Sequence, residues 1–283
     1  MAEPYCVIGD PIAHSISPPI HQAVFRLLGI DADYEAMRVR PGELEDFMVR
    51  ARRSGRPGWN VTIPHKETII PFLDEIDPSA RNIGAVNTVK NRNGGLIGYN
   101  TDVSGCMAAL TRAGFQSKGK AVIFGAGGAA RAGIEAIARL GLTECILFDV
   151  VPEKAENLRN HFFHLQRMDI RVVSRAPEIA GEIESASLIL NASPAGMHPD
   201  IEVTPLPCPE RIPGGATVFD MVYAPLETRL IREATARGAQ TVSGLVMLVA
   251  QALEADAIFL DRDLPETLFE PVFRVALDAT SHP

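Results

Sequence analysis

The chain has 283 residues, a formal net charge of −8 and 46% hydrophobic residues. This length suits two domains, and the negative charge argues against a nucleic-acid partner or an anionic membrane surface. The N-terminal residues lack the pattern of a signal peptide, and no apolar run is long enough to span a bilayer. We therefore expect a cytoplasmic protein with no membrane partner.

The cysteines and histidines give no sign of a metal site. Four scattered cysteines form no Cys-x-x-Cys pair, which is typical of a reduced intracellular protein. His161 and His164 share a face of a predicted helix, but the pattern supplies no third ligand. We therefore predict no bound metal.

The first third of the chain alternates predicted strands and helices. The predicted strands are residues 5–9, 34–39 and 59–63, and the predicted helices are residues 18–28 and 41–53. This βαβαβ order predicts a parallel sheet. Residues 85–90 and 96–98 are predicted as two further short strands on either side of a turn.

A second alternation follows a predicted helix over residues 103–113. Its predicted strands are residues 121–124, 145–148, 188–191 and 217–220, with helices ending near residue 140 and spanning 153–165. This order predicts a doubly wound, dinucleotide-binding domain. The last predicted helices, residues 244–260 and 265–277, have no strand after them, and we expect them to pack on the first domain.

The predicted fold is therefore α/β with two domains and a ligand cleft between them. Residues 1–102 and 244–283 would form a discontinuous substrate-binding domain, and residues 103–243 would bind a dinucleotide.

A glycine-rich loop, FGAGGAAR at residues 124–131, follows a predicted strand and opens a predicted helix. Gly125 permits a tight turn, Gly127 lets the backbone approach a pyrophosphate, and Ala130 is a third small residue for close packing. Free N–H groups at the helix start would bind the phosphates. The predicted cofactor-binding residues of this loop are Gly125, Ala126, Gly127, Gly128 and Ala129.

Asp149 follows the next predicted strand and is a candidate for cofactor selection. A carboxylate there accepts hydrogen bonds from ribose hydroxyls and repels a 2′-phosphate, and no arginine follows it. These features predict NAD as the cofactor in preference to NADP. Alternatively, Asp149 only caps the helix that begins near Pro152, although the two roles are compatible.

Two serines lie beside the start of the first predicted helix. Ser17 is placed to cap a helix whose first residue is Pro18, and Ser15 lies two residues earlier. Two hydroxyls at a helix N-terminus favour an anion such as a carboxylate. A simple helix cap is the alternative for Ser17.

The stretch NVTIPHKE at residues 60–67 places polar side chains at a strand end. Asn60 and Thr62 share one strand face, and Val61 and Ile63 would be buried on the other. Lys66 follows in the first turn of a helix, where the helix dipole and partial burial disfavour its charge. Such a lysine suits proton transfer, although a solvated surface lysine is the commoner case.

Asp102 ends the stretch GYNTD, residues 98–102, just before a predicted helix. It could be only the N-cap of that helix, or it could orient the amine of Lys66 and share its proton. The sequence leaves both alternatives open.

Eight motifs spread in order along nearly the whole chain resemble the shikimate dehydrogenase family. They read GDPIAHSISP, NVTIPHKE, GAVNT, GYNTD, GAGGAAR, NASPAGM, DMVYAPLET and SGLVMLVAQ. The resemblance implies an N-terminal α/β substrate domain, a Rossmann-type doubly wound parallel sheet, and C-terminal helices that return to the first domain. It also implies interconversion of shikimate and 3-dehydroshikimate with a nicotinamide cofactor.

The resemblance implies roles for individual residues. Lys66 and Asp102 would be the catalytic pair, and Ser15 and Ser17 would hold the substrate carboxylate. The residues expected at the ring hydroxyls or the carboxylate are Asn60, Thr62, Asn87, Tyr223 and Gln251. Met221 and Gly244 would lie near the nicotinamide.

The chain departs from the family pattern at a few positions. NADP-using members typically carry Asn-Arg-Thr where this chain has Asp149, Val150 and Val151, and acidic residues there also occur in NAD-type quinate/shikimate dehydrogenases. Ala224 and Ser243 stand where many members have Asn and Asp.

Three alternatives to an NAD-preferring shikimate dehydrogenase therefore stay open. They are a quinate-specific enzyme, an aminoshikimate paralogue and a non-catalytic NAD-binding sensor. Retention of Lys66 and Asp102 argues against the sensor. We expect a small-molecule substrate and a monomer or homodimer.

Overall fold

The computed structural model describes residues 2–116, 118–163 and 168–281. The chain divides into two compact units. Unit 1 contains Met1–Gly105 and Val249–Pro283, and unit 2 contains Cys106–Leu248. Unit 1 is therefore built from both ends of the chain. The assignment of one domain to the substrate and the other to the cofactor stays a prediction at this point.

The described residues form twelve strands and eleven α-helices. The strands are β1 (Glu3–Gly9), β2 (Ala32–Arg38), β3 (Gly58–Val61), β4 (Glu75–Ile76), β5 (Thr88–Arg92), β6 (Gly95–Tyr99), β7 (Lys120–Phe124), β8 (Glu144–Phe148), β9 (Asp169–Val172), β10 (Ala186–Asn191), β11 (Thr217–Asp220) and β12 (Gln240–Ser243). The helices are α1 (Ser17–Leu28), α2 (Leu44–Ser54), α3 (His65–Thr68), α4 (Pro78–Arg81), α5 (Asp102–Arg112), α6 (Gly128–Arg139), α7 (Pro152–Phe163), α8 (Ala176–Ile183), α9 (Arg229–Ala236), α10 (Gly244–Leu260) and α11 (Phe269–Ser281). Short 3₁₀ turns lie at Pro41–Glu43, Ile70–Phe72, Pro209–Arg211 and Glu266–Leu268.

The sheet of unit 1 has the order β2-β1-β3-β5-β6-β4 and mixed strand directions. Strands β1, β2 and β3 are parallel, which confirms the predicted parallel sheet for the first three strands. Strands β5 and β6 are antiparallel because a two-residue turn joins them. That turn contains Asn93 and Gly94, both at positive φ, which is typical of hairpin turns.

The central strand β1 is buried on both faces. Cys6 and Ile8 pack in a cluster with residues of α2, whereas Tyr5 packs on the opposite face with Phe25 of α1 and Phe259 of α10. Alternate side chains of a strand point to opposite faces, so a central parallel strand covered on both faces needs apolar residues throughout. The last helix, α11, packs on α1 within the same unit.

The sheet of unit 2 is parallel throughout, with the order β12-β11-β10-β7-β8-β9. The chain starts in the middle at β7, runs outward to β9, and then returns to run outward from β10. This is the doubly wound order of dinucleotide-binding folds, and the predicted fold class is confirmed. The edge strands β9 and β12, DIRV and QTVS, escaped prediction because they are short and partly polar.

Some predicted boundaries were wrong. Strand β3 ends at Val61, and the side chain of Ile63 is 70% exposed rather than buried. The chain turns after the strand, where His65 N donates to Thr62 O, so no sheet face covers Ile63. The predicted helix over residues 153–165 corresponds to α7 (Pro152–Phe163), and its last two predicted residues lie outside the described residues, so its predicted end stays a prediction. In residues 2–116, 118–163 and 168–281, no helix combines the length and apolar character needed to cross a bilayer.

Candidate active site

Lys66 and Asp102 form a close ion pair in unit 1. Lys66 Nζ donates a hydrogen bond to Asp102 Oδ2 at 2.6 Å, and their side chains are 20% and 8% exposed. Lys66 lies in α3, just past β3, and its backbone is anchored because Val86 N donates to Lys66 O at 2.7 Å. The structure thus brings together two residues that lie 36 positions apart in the chain.

The carboxylate of Asp102 is free to pair because another residue supports the start of its helix. Asn100 Oδ1 accepts a hydrogen bond from Asp102 N at 2.9 Å, and Asn100 Nδ2 donates to Ala85 O. Asp102 is the first residue of α5. A role as no more than an N-cap is therefore wrong for Asp102, since its two oxygens accept from Lys66 and Asn87.

Asn87 holds the other oxygen of this carboxylate. Its Nδ2 donates to Asp102 Oδ1 at 2.9 Å, and its Oδ1 accepts from Thr101 N and Thr88 Oγ1, both at 2.9 Å. The side chain is almost fully buried, so these bonds fix the orientation of its amide. Gln251 joins the same cluster, with its Oε1 at 3.4 Å from Asn87 Nδ2.

Asn60 is linked to the same network but is largely occupied by protein contacts. Its Nδ2 donates to Asn87 O at 3.2 Å and to Thr88 Oγ1 at 3.0 Å, and its Oδ1 accepts from Tyr34 OH at 2.6 Å. Both amide hydrogens are engaged, whereas the carbonyl oxygen has a second lone pair. Asn60 can therefore meet a ligand hydroxyl only as an acceptor.

The predicted cap by Ser17 is wrong. Helix α1 begins at Ser17 itself, and the N-cap position is Ile16, whose side chain cannot accept a hydrogen bond. Ser15 Oγ instead accepts from Ser17 N at 3.3 Å. Thr62 lies half-buried just after β3, with its N–H bonded to Ile8 O. Ser15 and Thr62 lie in the segments that follow the neighbouring parallel strands β1 and β3, and Ser17 is the first residue of α1 after the first of these segments. Ligands of parallel sheets commonly bind at such strand ends.

The glycine loop of unit 2 meets the structural demands of a pyrophosphate site. Gly125 has φ +100°, and a Cβ there would lie 2.8 Å from Ala192 O, so only glycine fits. Gly127 precedes α6, and a Cβ there would meet no atom within 4 Å, so this edge of the loop is open. Ala130 is fully buried against the core, as a third small residue should be. The open N–H groups of Gly128 and Ala129 at the start of α6 suit a pyrophosphate.

Asp149 is bonded to the glycine loop. Its Oδ2 accepts from Ala126 N at 2.8 Å, and its Oδ1 accepts from Val151 N at 2.8 Å. The second bond is a cap-like turn just before α7, so the capping alternative describes part of the arrangement. Val150 beside it is 87% exposed. Each carboxylate oxygen keeps lone pairs for further donors, such as ribose hydroxyls.

Met221 and Gly244 lie side by side in unit 2. A Cβ at Gly244 would collide with Met221 O, which requires glycine at the start of α10. Met221 N donates to Asn191 O at 3.0 Å, at the end of β10.

Partial burial raises the pKa of the hydroxyl of Tyr223, which lies two residues after Met221. Ser243, one of the departures from the family pattern, accepts from Leu245 N at 3.2 Å and so supports the first turn of α10.

Asp220 organises the loops that contain these residues, although no pattern in the sequence marked it as a functional residue. It is fully buried and accepts from Thr228 Oγ1 at 2.5 Å, Asn191 Nδ2 at 2.9 Å and Val222 N at 3.0 Å. Burial raises the pKa of its carboxyl, and the three donors oppose that shift. The loops after β10 and β11 are therefore tied to one buried side chain.

Other residues of the network were also not predicted from the sequence. Thr88 and Thr101 belong to the motifs GAVNT and GYNTD, so their place in these motifs was an available signal. Tyr34 lies on β2 in a plain strand pattern, and nothing in the sequence connects it with Asn60. Within the described ranges, no three His, Cys, Asp or Glu side chains are grouped to hold a metal ion, and His164 lies outside those ranges.

Comparisons with known proteins agree with this architecture. The family model described as the shikimate dehydrogenase substrate binding domain matches residues 7–89. The chain is 42% identical over 278 residues to a shikimate dehydrogenase (NADP(+)) of Moorella thermoacetica, which covers 97% of this chain and 94% of that protein.

Solved structures match over nearly the whole chain. One is shikimate 5-dehydrogenase from Thermus thermophilus in complex with NADP(H) and shikimate, at 35% identity and a TM-score of 0.88, covering 99% of this chain and 100% of that one. Another is quinate dehydrogenase from Corynebacterium glutamicum in complex with NAD, at 28% identity and a TM-score of 0.89. It covers 98% of this chain and 99% of that one.

Fold, glycine loop and relatives together define an oxidoreductase that acts on CH–OH groups with a nicotinamide dinucleotide. The chain belongs to the shikimate dehydrogenase family.

Proposed function

We propose that this enzyme reversibly oxidises shikimate to 3-dehydroshikimate and prefers NAD to NADP. The observation that carries the reaction is the 2.6 Å pair between Lys66 Nζ and Asp102 Oδ2. A partly exposed amine beside a buried carboxylate forms an acid–base pair that one ligand hydroxyl can reach from the solvent side.

The proposed mechanism divides the work between cofactor and protein. A nicotinamide cofactor held in unit 2 would supply the hydride acceptor for oxidation of a carbinol carbon. Lys66 Nζ takes the hydroxyl proton in the same direction and returns it during reduction. Asp102 shares that proton and orients the amine through the 2.6 Å hydrogen bond between them. Asn87 keeps Asp102 Oδ2 turned toward Lys66.

The substrate contacts are proposed from the loops around this pair. The serines Ser15 and Ser17 would bind the carboxylate, and the Oδ1 of Asn60 would accept from a ring hydroxyl. Thr62, Asn87, Gln251 and Tyr223 complete the proposed set. The Thermus relative in complex with shikimate supports a substrate of this class.

Unit 1 would therefore be the substrate-binding domain and unit 2 the cofactor-binding domain. The family model for the substrate binding domain falls on residues 7–89, inside unit 1, which supports the first assignment. The glycine loop of unit 2 supports the second. The proposed cofactor contacts are Gly125, Ala126, Gly127, Gly128, Ala129, Asp149, Met221 and Gly244.

The proposed NAD preference rests on Asp149. Its carboxylate is held at the glycine loop by Ala126 N, and the adjacent Val150 is exposed and apolar where a cation would favour a 2′-phosphate. The relatives differ in cofactor, since the Moorella protein is named for NADP(+) and the Corynebacterium protein binds NAD. Quinate is a second candidate substrate, supported by the same Corynebacterium protein.

A two-by-two steady-state assay tests the proposal. Shikimate and quinate are each assayed with NAD and with NADP, and kcat/KM is compared. We expect the highest value for shikimate with NAD. A higher value with NADP would refute the cofactor preference, a higher value with quinate would reassign the substrate, and no turnover of either substrate would refute the proposed function.

A further inference from the structure

A buried histidine–aspartate contact lies in unit 1 outside the proposed catalytic pair. His21 of α1 and Asp256 of α10 are both 0% exposed, and His21 Nδ1 lies 2.7 Å from Asp256 Oδ1. Burial raises the pKa of Asp256, and the charge and hydrogen bond of His21 oppose that shift. Such a pair costs desolvation energy that an apolar pair of similar size avoids. A polar pair in an otherwise apolar cluster is therefore weak evidence for stability, but it can fix the orientation of the rings around it.

The ring of His21 stacks on Tyr34 in an unusual orientation for this cluster. The two ring centroids are 4.0 Å apart with an interplanar angle of 6°. The apolar ring pairs beside them are tilted, at 38° between Tyr5 and Phe25 and 36° between Tyr5 and Phe259. A hydrogen bond in the imidazole plane fixes the rotation of the His21 ring, because a tilted ring would lose its bond to Asp256.

A directional chain of hydrogen bonds runs from Tyr34 to the catalytic pair. Tyr34 OH donates to Asn60 Oδ1 at 2.6 Å, and Asn60 Nδ2 donates to Thr88 Oγ1 at 3.0 Å. Thr88 Oγ1 then donates to Asn87 Oδ1 at 2.9 Å, and Asn87 Nδ2 donates to Asp102 Oδ1 at 2.9 Å. Each group donates to the next, so each amide or hydroxyl can adopt only one orientation while its predecessor donates.

We propose that His21, Asp256 and Tyr34 are positioning residues for the reaction. Asp256 fixes the plane of the His21 ring, and the stacked His21 ring fixes the plane of the Tyr34 ring. Because a phenolic O–H bond lies close to its ring plane, this directs the hydrogen of Tyr34 OH to Asn60 Oδ1. The chain beyond Asn60 holds Asp102 Oδ2 toward Lys66. This inference rests on the proposed function, because it assigns these residues to the step that Lys66 and Asp102 carry out.

The first test compares two buried tyrosines of the same cluster. Tyr34→Phe removes only the hydroxyl that donates to Asn60, whereas Tyr5→Phe removes a hydroxyl that donates to Glu3 at 3.1 Å. Both variants keep their rings, so both should fold. We expect Tyr34→Phe to lower kcat about fivefold to tenfold, the effect of one net hydrogen bond. KM for the cofactor should not change, and Tyr5→Phe should keep wild-type kcat.

The second test uses Asp256. Asp256→Leu removes the acceptor that fixes the ring of His21, whereas Asp256→Asn keeps an oxygen acceptor of the same reach. We expect kcat of the leucine variant to fall below that of the wild-type enzyme. We expect kcat of the asparagine variant to be at least about fivefold higher than that of the leucine variant, because a positioning role needs the hydrogen bond and not the charge. Where the leucine variant does not fold, the comparison of Tyr34→Phe with Tyr5→Phe decides.

The outcomes separate this inference from the proposed function. Equal kcat for Tyr34→Phe and Tyr5→Phe would overturn the positioning role. A parallel rise of KM for the cofactor would also overturn it, since it would indicate a general loss of structure. Absence of shikimate and quinate turnover in the wild-type enzyme would instead refute the proposed function.

Discussion

The two units each place an aspartate at the centre of their site, but they hold it in different ways. Asp102 in unit 1 is bonded by side chains, namely the amine of Lys66 and the amide of Asn87. Asp149 in unit 2 is bonded by backbone N–H groups of Ala126 and Val151.

This difference matches the work proposed for each aspartate. A carboxylate that shares a proton needs a partner that can gain and lose it, and an amine can do so whereas a peptide N–H cannot. A carboxylate that selects a cofactor needs only a fixed position and a fixed charge. We therefore expect changes in the Asp102 network to affect turnover and changes at Asp149 to affect cofactor choice.

The largest expected effect is that of Lys66→Ala. Removal of the amine should lower kcat by about 10²–10⁴-fold, the usual contribution of general acid–base catalysis, with a much smaller effect on KM. Steady-state kinetics with shikimate measure both, and Lys118→Ala, which changes an exposed lysine of unit 2, is the matched control. Near-normal turnover in Lys66→Ala would remove Lys66 from the mechanism.

The next effect is a change of cofactor preference. Asp149→Asn combined with Val150→Arg removes the repulsion of a 2′-phosphate and adds a cation, while asparagine keeps one oxygen acceptor for the backbone. The ratio of kcat/KM with NAD to that with NADP should fall about 10- to 100-fold. Val150→Arg alone is the control and should give a smaller shift. An unchanged ratio in the double variant would show that Asp149 does not select the cofactor.

A smaller effect concerns the pH dependence of the loops held by Asp220. Burial raises the pKa of this carboxyl in the folded protein. Its contribution to stability is therefore complete below the unfolded pKa, about 4, and is lost as the pH rises through the folded pKa. Hydrogen exchange of the backbone amides of Val222 and Ser193, corrected for the intrinsic exchange rate at each pH, measures this loss. Their protection should decrease as the pH rises from about 4 through the folded pKa.

The control for that measurement is Asp220→Asn, which has no titrating group at this position. Its protection at the same amides should depend less on pH. An identical pH dependence in both proteins would mean that Asp220 does not control the opening of these loops.

The smallest effect on activity is expected at Lys90. Its side chain is only 5% exposed. Lys90 Nζ donates to Ile258 O at 2.6 Å and lies 2.5 Å from Asp261 Oδ1. These two contacts join β5 to the end of α10. Lys90→Met should lower the free energy of unfolding by about 1–3 kcal/mol, the cost of losing a charged hydrogen bond, without changing kcat.

Urea denaturation followed by the fluorescence of Trp59, the single tryptophan and a buried residue of unit 1, measures that loss. Arg92→Met is the control, because Arg92 contacts the same Asp261 but is 56% exposed. Equal destabilisation by both variants would contradict the role given to the buried lysine. A fall in kcat for Lys90→Met would show that catalysis depends on general stability.

The comparison of units also explains what the sequence could predict. The glycine loop and Asp149 lie at consecutive strand ends, so local patterns place them together, and the all-parallel sheet follows from the order of elements. The Asp102 network joins residues that lie far apart in the chain, for example Asn87 and Gln251, which are 164 positions apart. Only the fold brings such residues together, so the sequence left the Lys66–Asp102 contact open.

Local sequence patterns gave wrong predictions for residues at the end of a helix or strand, where two positions relative to that element were compatible with the pattern. Ser17 resembled a helix cap but lies inside α1, and Ile63 continued an alternation that the turn after Val61 interrupts. Helix α10 contains two acidic residues, and the structure alone shows that Glu254 is exposed whereas Asp256 is buried beside His21.

The central claim is that Lys66 and Asp102 handle one proton as a unit, and a double-mutant cycle tests it most directly. The cycle measures kcat for Lys66→Ala, Asp102→Asn and the combined variant with shikimate and NAD. Residues that act as a unit give strongly non-additive losses, so the combined variant should lose about as much activity as Lys66→Ala alone. A loss in the combined variant equal to the product of the two single losses would contradict the account.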